Sequence, residues 1–163
     1  MRADTDRLWL AAAIQVSRQS PPSPHRYAVG AVVVDRDGTV LATGYTGEGD
    51  PRNHAEEVAL AKLAGLDLTR ATLYTSLEPC TARSSRPASC AGLILAAGVG
   101  RVVFALREPP LFADCDGVET LRVAGVEVVE VGDLAHLVGQ VNAHVLRSGL
   151  RAEAGRAALV GPA

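Results

Sequence analysis

Four residues of this chain have the types and spacing for hydrolytic chemistry: His54 and Glu56 in the tripeptide HAE, then Cys80 and Cys90 in the stretch TSLEPCTARSSRPASC, residues 75–90. One histidine and two cysteines form a ligand set for zinc, and zinc sites that only hold a fold are closed by four protein ligands. No fourth ligand has an obvious place here. That deficit predicts an open position for water, whose pKa a bound zinc lowers to about 7. Glu56, two residues beyond the histidine, is the expected proton carrier.

For these residues to meet, the elements around them must bring the tripeptide and the cysteine stretch together. On an ideal helix His54 and Glu56 lie about 200° apart, so they converge only if His54 sits at the first turn of a helix over 54–64, where Asn53 is a suitable cap. Upstream, Asp4 or Thr5 starts a helix that ends near Gln19, with Leu8, Trp9, Ala12, Ala13 and Val16 on its apolar face. The proline-rich segment SPPSPHR, 20–26, reads as a loop that leaves His25 and Arg26 exposed for contact. Residues 27–35 and 39–45 form a hairpin about Asp37-Gly38. Strands are expected over 71–76, 101–106 and 126–131, and helices over 89–97, 117–124 and from Asp133 to about Leu146. After the hairpin, strands alternate with helices. The expected fold is therefore α/β: a three-layer α/β/α sandwich on a mixed five-stranded sheet.

Length and composition bound the function. The chain of 163 residues, 48% apolar, suits one catalytic domain over residues 1–148 and a tail over 149–163. A net charge of −2 offers no basic field for nucleic acid, and no apolar run reaches the ~20 residues of a membrane span. Acidic residues stand where a signal peptide would carry basic ones, so the expected location is cytoplasmic, where three cysteines are metal ligands or free thiols rather than disulfides. Two ligands and one spare thiol, Cys115, fit that count. Taken alone, His136, His144, Asp114 and Asp116 read as surface, turn or cap residues, and Trp9 as core.

His-x-Glu followed by Pro-Cys and a further cysteine is the signature of zinc nucleobase deaminases, in which the glutamate is general acid/base and not a ligand. Here it is written His54-Ala55-Glu56, Pro79-Cys80 and Cys90, and the chain resembles the cytidine-deaminase-like superfamily. Most members place two residues between the cysteines; this chain places nine. A loop of that length, with ATLYTSLEPC, CAGLILAAGVGRVVFAL, Glu108-Pro109 and AGVEV, is similar to the deaminase domain of the bifunctional riboflavin-biosynthesis deaminase/reductase, over about Leu8 to Leu146. No reductase segment is evident, so a stand-alone deaminase is expected.

The resemblance implies Zn2+ on His54, Cys80 and Cys90, general acid/base work by Glu56, backbone around Ser76 and Leu77 holding the departing amine, and a homodimer or higher homo-oligomer. The apolar helix 91–97 could serve the interface. The implied substrate is a small heterocyclic amine of aminopyrimidine type. Two departures point to a changed substrate: Arg26 stands at or beside the family's sugar-contacting asparagine, and Arg83 and Arg86 enter a loop that in the family starts His/Gly-rich. These arginines are candidate binders of a phosphate or carboxylate. Other readings are a cytidine, deoxycytidylate, cytosine or guanine deaminase, a nucleic-acid-editing enzyme, and a non-catalytic zinc-binding interaction protein.

Overall fold

The residues Gly30–Val34 form strand β1 and are all buried, so the sheet around them needs cover on both faces. The computed structural model describes residues 1–109 and 115–147. In it β1 lies between β2 (Val40–Tyr45) and β3 (Thr72–Leu77), antiparallel to both. Strands β4 (Arg101–Leu106) and β5 (Glu127–Glu130) continue the sheet in parallel, giving the order β2-β1-β3-β4-β5. Helices α1 (Arg2–Ser17) and α5 (Ala135–Val141) pack on one face. Helices α2 (Ala55–Ala61), α3 (Cys90–Ala97) and α4 (Gly117–Val123) cover the other, completing the expected three layers. The predicted tail, 149–163, and Asp114 lie outside the described residues. Among the described residues no helix is long and apolar enough to cross a membrane.

Two glycines set the layers close to the sheet. A Cβ on Gly30 would run into the carbonyl of Ala13 in α1, and one on Gly44 into the carbonyl of Ala55 in α2. The second contact matters most here, because it seats the first turn of α2, and with it Glu56, directly on the sheet.

Several boundaries differ from those the sequence predicts, each for a polar reason. The buried side of α1 is Asp6, Leu10, Ala13, Ile14 and Ser17, while Leu8 is 72% exposed. The apolar count misplaces this face because two polar residues belong to it. Asp6 receives two hydrogen bonds from the guanidinium of Arg101 in β4, at 2.7 and 2.8 Å, and one from Tyr74 in β3 at 3.1 Å. Strand β1 begins only at Gly30, because residues 28 and 29 bond outside the sheet. Ala28 exchanges hydrogen bonds with the side chain of Asn142, and Val29 with Thr46. The C-terminal helix is interrupted at that same Asn142, which also donates to the carbonyl of Val138; a further helical turn carries the chain to Arg147. Trp9 packs against the core, and His136 and His144 are exposed, as expected.

The Asp6–Arg101 pair joins α1 to the sheet from a position almost closed to water. Burial alone would raise the Asp6 carboxyl, but Arg101 and Tyr74 outweigh it and hold it below its ordinary value of 3.8. A carboxyl lowered in the folded state contributes stability above its unfolded pKa, and that stability is lost as pH falls through the folded value. Asp6→Asn, which leaves a buried guanidinium without its main counter-charge, is expected to cost about 3 kcal/mol near neutral pH. Urea denaturation from pH 7 down to pH 2 checks this: the deficit should shrink as the pH falls below about 4.

Candidate active site

His54 does not lie within α2. It is the N-cap, with extended backbone (φ −90°, ψ 156°), and its N–H donates to Oε2 of Glu57 at 3.2 Å. This corrects the expectation that Asn53 caps the helix. Instead the Asn53 side chain donates to the Glu48 carbonyl at 3.0 Å and accepts from Arg86 at 2.7 Å. Because His54 leaves the helical path, its imidazole turns to the side on which Glu56 is buried.

Cys80 follows β3 through Glu78-Pro79, and Cys90 opens α3, where Ser89 caps the helix by accepting from the Gly92 N–H at 3.1 Å. The N–H of Cys90 points at Sγ of Cys80 at 3.3 Å, and the N–H of Ala91 donates to the Cys80 carbonyl at 3.0 Å. The start of α3 thus supplies positive dipole to the first sulfur. A hydrogen bond from Cys90 brings the Cys80 thiol down to about 4 against the effect of burial. The same contact, with burial, pushes Cys90 well above the usual thiol range.

His54 Nδ1 lies 3.6 Å from Sγ of Cys80 and 3.3 Å from Sγ of Cys90, and the three ligand atoms fall within 4.8 Å of one another. A tetrahedral ion with bonds of about 2.3 Å to sulfur and ~2.0 Å to nitrogen sets such atoms roughly 3.6 Å apart. The donor set and its spacing therefore fit a single metal ion with one position open.

Glu56 is buried beside this cluster, and its Oε2 lies 3.5 Å from Sγ of Cys90. The hydroxyl of Thr75, fully buried in β3, donates to Oε1 of Glu56 at 2.8 Å. Burial pushes the Glu56 carboxyl up, which favours a group that can hold a proton. Neither Thr75 nor Glu78 is singled out by sequence reasoning, although each is a polar residue in an apolar strand context. Glu78 is buried and ties down two segments, accepting from the N–H of Glu108 at 3.2 Å and of Val118 at 3.1 Å.

The cluster opens into a cavity of about 500 Å3. Its lining brings together His54, Glu56 and Cys80 with Arg26, Leu77 and Arg83. Ser76 lies one residue from that lining, with its hydroxyl accepting from the Gly30 N–H at 3.1 Å. Arg26 makes no hydrogen bond or ion pair among the described residues, whereas Arg83 and Arg86 are both engaged. Arg83 pairs with Glu57 at 3.0 Å and donates to the Arg52 carbonyl at 2.6 Å; Arg86 lies 2.9 Å from Glu57 and is not part of the cavity lining. Glu108 is a wall residue that nothing in the sequence marks as such, and burial pushes its carboxyl up to about 7. Cys115 is a free thiol that donates to the Pro79 carbonyl at 3.3 Å, and Asp116 takes the N-cap position of α4 without a side-chain bond.

Comparison with known proteins agrees with this geometry. The family model of the cytidine and deoxycytidylate deaminase zinc-binding region matches residues 3–106. The chain is 34% identical over 126 residues to the diaminohydroxyphosphoribosylamino-pyrimidine deaminase of Schizosaccharomyces pombe, covering 75% of this chain and 31% of that protein. It is 36% identical over 128 residues to the riboflavin biosynthesis protein RibD of Escherichia coli, covering 76% and 33%. The chain thus spans about a third of the length of the curated relatives it matches. Among solved structures, Acinetobacter baumannii RibD superposes with a TM-score of 0.78 at 31% identity, covering 91% of this chain and 41% of that one. The dCMP deaminase of cyanophage S-TIM5 gives 0.62 at 28% identity, covering 80% and 100%. The matched segment includes every strand but the last and carries Glu56 with the His54, Cys80 and Cys90 cluster, and the chain belongs to the cytidine and deoxycytidylate deaminase family, close to the riboflavin-biosynthesis deaminases.

Proposed function

We propose that this protein is a zinc-dependent hydrolytic deaminase of a small aminopyrimidine-type metabolite. The observation that carries the reading is Glu56, a buried carboxylate fixed by Thr75 beside a three-ligand cluster at the cavity. Zinc held by His54, Cys80 and Cys90 would supply Lewis acidity and an acidified water. Glu56 takes the proton of the attacking water and delivers it to a ring nitrogen as the oxygen joins the amine-bearing carbon. A second proton passes through the same carboxylate to the departing amine, which leaves as ammonia. Leu77 and the backbone from Ser76 border the amine's path. Arg26 of the cavity wall, without a hydrogen bond or ion pair among the described residues, would meet an acidic or hydroxylated substituent.

The relatives' names supply the first substrate class, and Arg26 in the cavity wall supports a changed one. A homo-oligomer using the outer side of α3, where Gly92 and Ala96 are exposed, belongs to the same reading.

An ammonia-release panel with the riboflavin precursor, cytidine, deoxycytidylate, cytosine and guanine tests the function. Turnover of at least one small substrate is expected; turnover of oligonucleotides alone would replace it with the nucleic-acid-editing reading. Glu56→Gln should lower kcat by roughly 10²–10⁴ while metal analysis still finds one zinc per chain, and unimpaired turnover would exclude the proposed mechanism. Thr75→Val removes the hydroxyl's hydrogen bond to the proton carrier, along with its longer contact, 3.2 Å, to the Leu77 carbonyl. It is expected to lower kcat about ten- to a hundredfold with KM little changed, as measured by steady-state kinetics.

A further inference from the structure

Glu57 follows the proton carrier in sequence but faces away from the reaction. Two hydrogen bonds and one further ion pair, from two segments, converge on its carboxylate. The His54 N–H lies 3.2 Å from Oε2, Arg83 Nη1 lies 3.0 Å from the same oxygen, and Arg86 Nε lies 2.9 Å from Oε1. The arginines are held further: Arg83 Nη2 donates to the Arg52 carbonyl at 2.6 Å, and Arg86 Nη2 donates to Asn53 Oδ1 at 2.7 Å. The Arg83 side chain is only 3% exposed, although it belongs to a loop of mostly exposed residues. Nearly all of its donor capacity faces protein, and the loop's exposed contributions to the cavity come from Ala82, Ser84 and Ser85.

We propose that Glu57 is a positioning residue: it draws Arg83 and Arg86 onto the start of α2 and so fixes the loop between the cysteines as a wall of the substrate cavity. The substrate then meets the small and hydroxylated residues of that wall rather than free guanidinium groups. The assignment rests on the deaminase reading for its kinetic consequence but not for its structural one.

Trypsin reads the latch directly. It cleaves after arginine unless proline follows, so within the loop the susceptible bond is Arg83–Ser84, while Arg86–Pro87 resists. In the intact protein loaded with zinc, Glu57→Gln should speed cleavage at Arg83–Ser84 by about tenfold or more, because a neutral amide cannot hold two guanidinium groups. Zinc content should stay at one per chain. With a substrate from the panel, KM should rise about tenfold and kcat stay within about twofold. Arg86→Gln leaves α2 untouched and keeps the cleavage site, and should move both readouts in the same direction; because Arg86 also reaches Asn53 and Asp50, Asn53→Ala, which spares Glu57, should move them less, and the two variants together decide the matter if the Glu57 variant fails to fold. Unchanged cleavage and unchanged KM would overturn the latch, and so would loss of zinc from Glu57→Gln, which would place the residue's role at His54. If wild-type protein turns over nothing in the panel, the deaminase reading fails while the protease result still decides the latch.

Discussion

The site depends on one backbone constraint: the chain must be extended at His54 and helical from Ala55. An imidazole two residues before a carboxylate on a continuous helix would point away from it. Moving the histidine to the cap resolves this, and Gly44 lets the helix behind it rest directly against the sheet. With α2 fixed in this way, Glu56 is buried at the hydroxyl of Thr75, and its carboxylate and the histidine share one wall of the cavity. Had β2 carried a side chain at residue 44, α2 would sit further out and the glutamate would lose its buried partner.

The second half of the site comes from a helix that starts beside the start of the first one, at the same end of the strands. Cys90 is the first residue of α3, so its N–H and that of Ala91 are unsatisfied by the helix and turn to Cys80 instead. The same geometry that holds the loop's two ends together also favours thiolate at the first cysteine. Electrostatics and chain connectivity therefore act at one place. The long loop is thus closed at its two ends by contacts between Cys80 and the first residues of α3.

The grouping of the site residues was legible in the sequence because it rests on short motifs: His54, Glu56, Cys80 and Cys90 come together, and the mixed sheet follows from a hairpin succeeded by alternating strands and helices. Less legible were the groups that position those residues. Thr75 and Glu78 sit in an apolar strand context, where a polar residue can mean an edge, a turn or a site. Glu57 looks like an ordinary solvated residue of a helix, and its partners lie 26 and 29 residues away. Helix α1 was misoriented because the apolar pattern cannot reveal that Asp6 is paired with Arg101, at a sequence separation of 95. Local pattern carries the elements and the motif, whereas long-range polar pairing decides how they face.

Asn142 joins these levels at the other end of the chain. Its amide takes the place of a neighbouring strand for Ala28, holding the residues that precede β1, and with them Arg26 and Tyr27 of the cavity wall, against α5. The family match ends at residue 106, so Glu108 of the cavity wall and Asn142 lie outside the matched segment. A change at Asn142 would therefore reach the cavity wall through Ala28 while every residue of the deaminase motif stays the same. Two chains with identical motifs need not share a pocket shape.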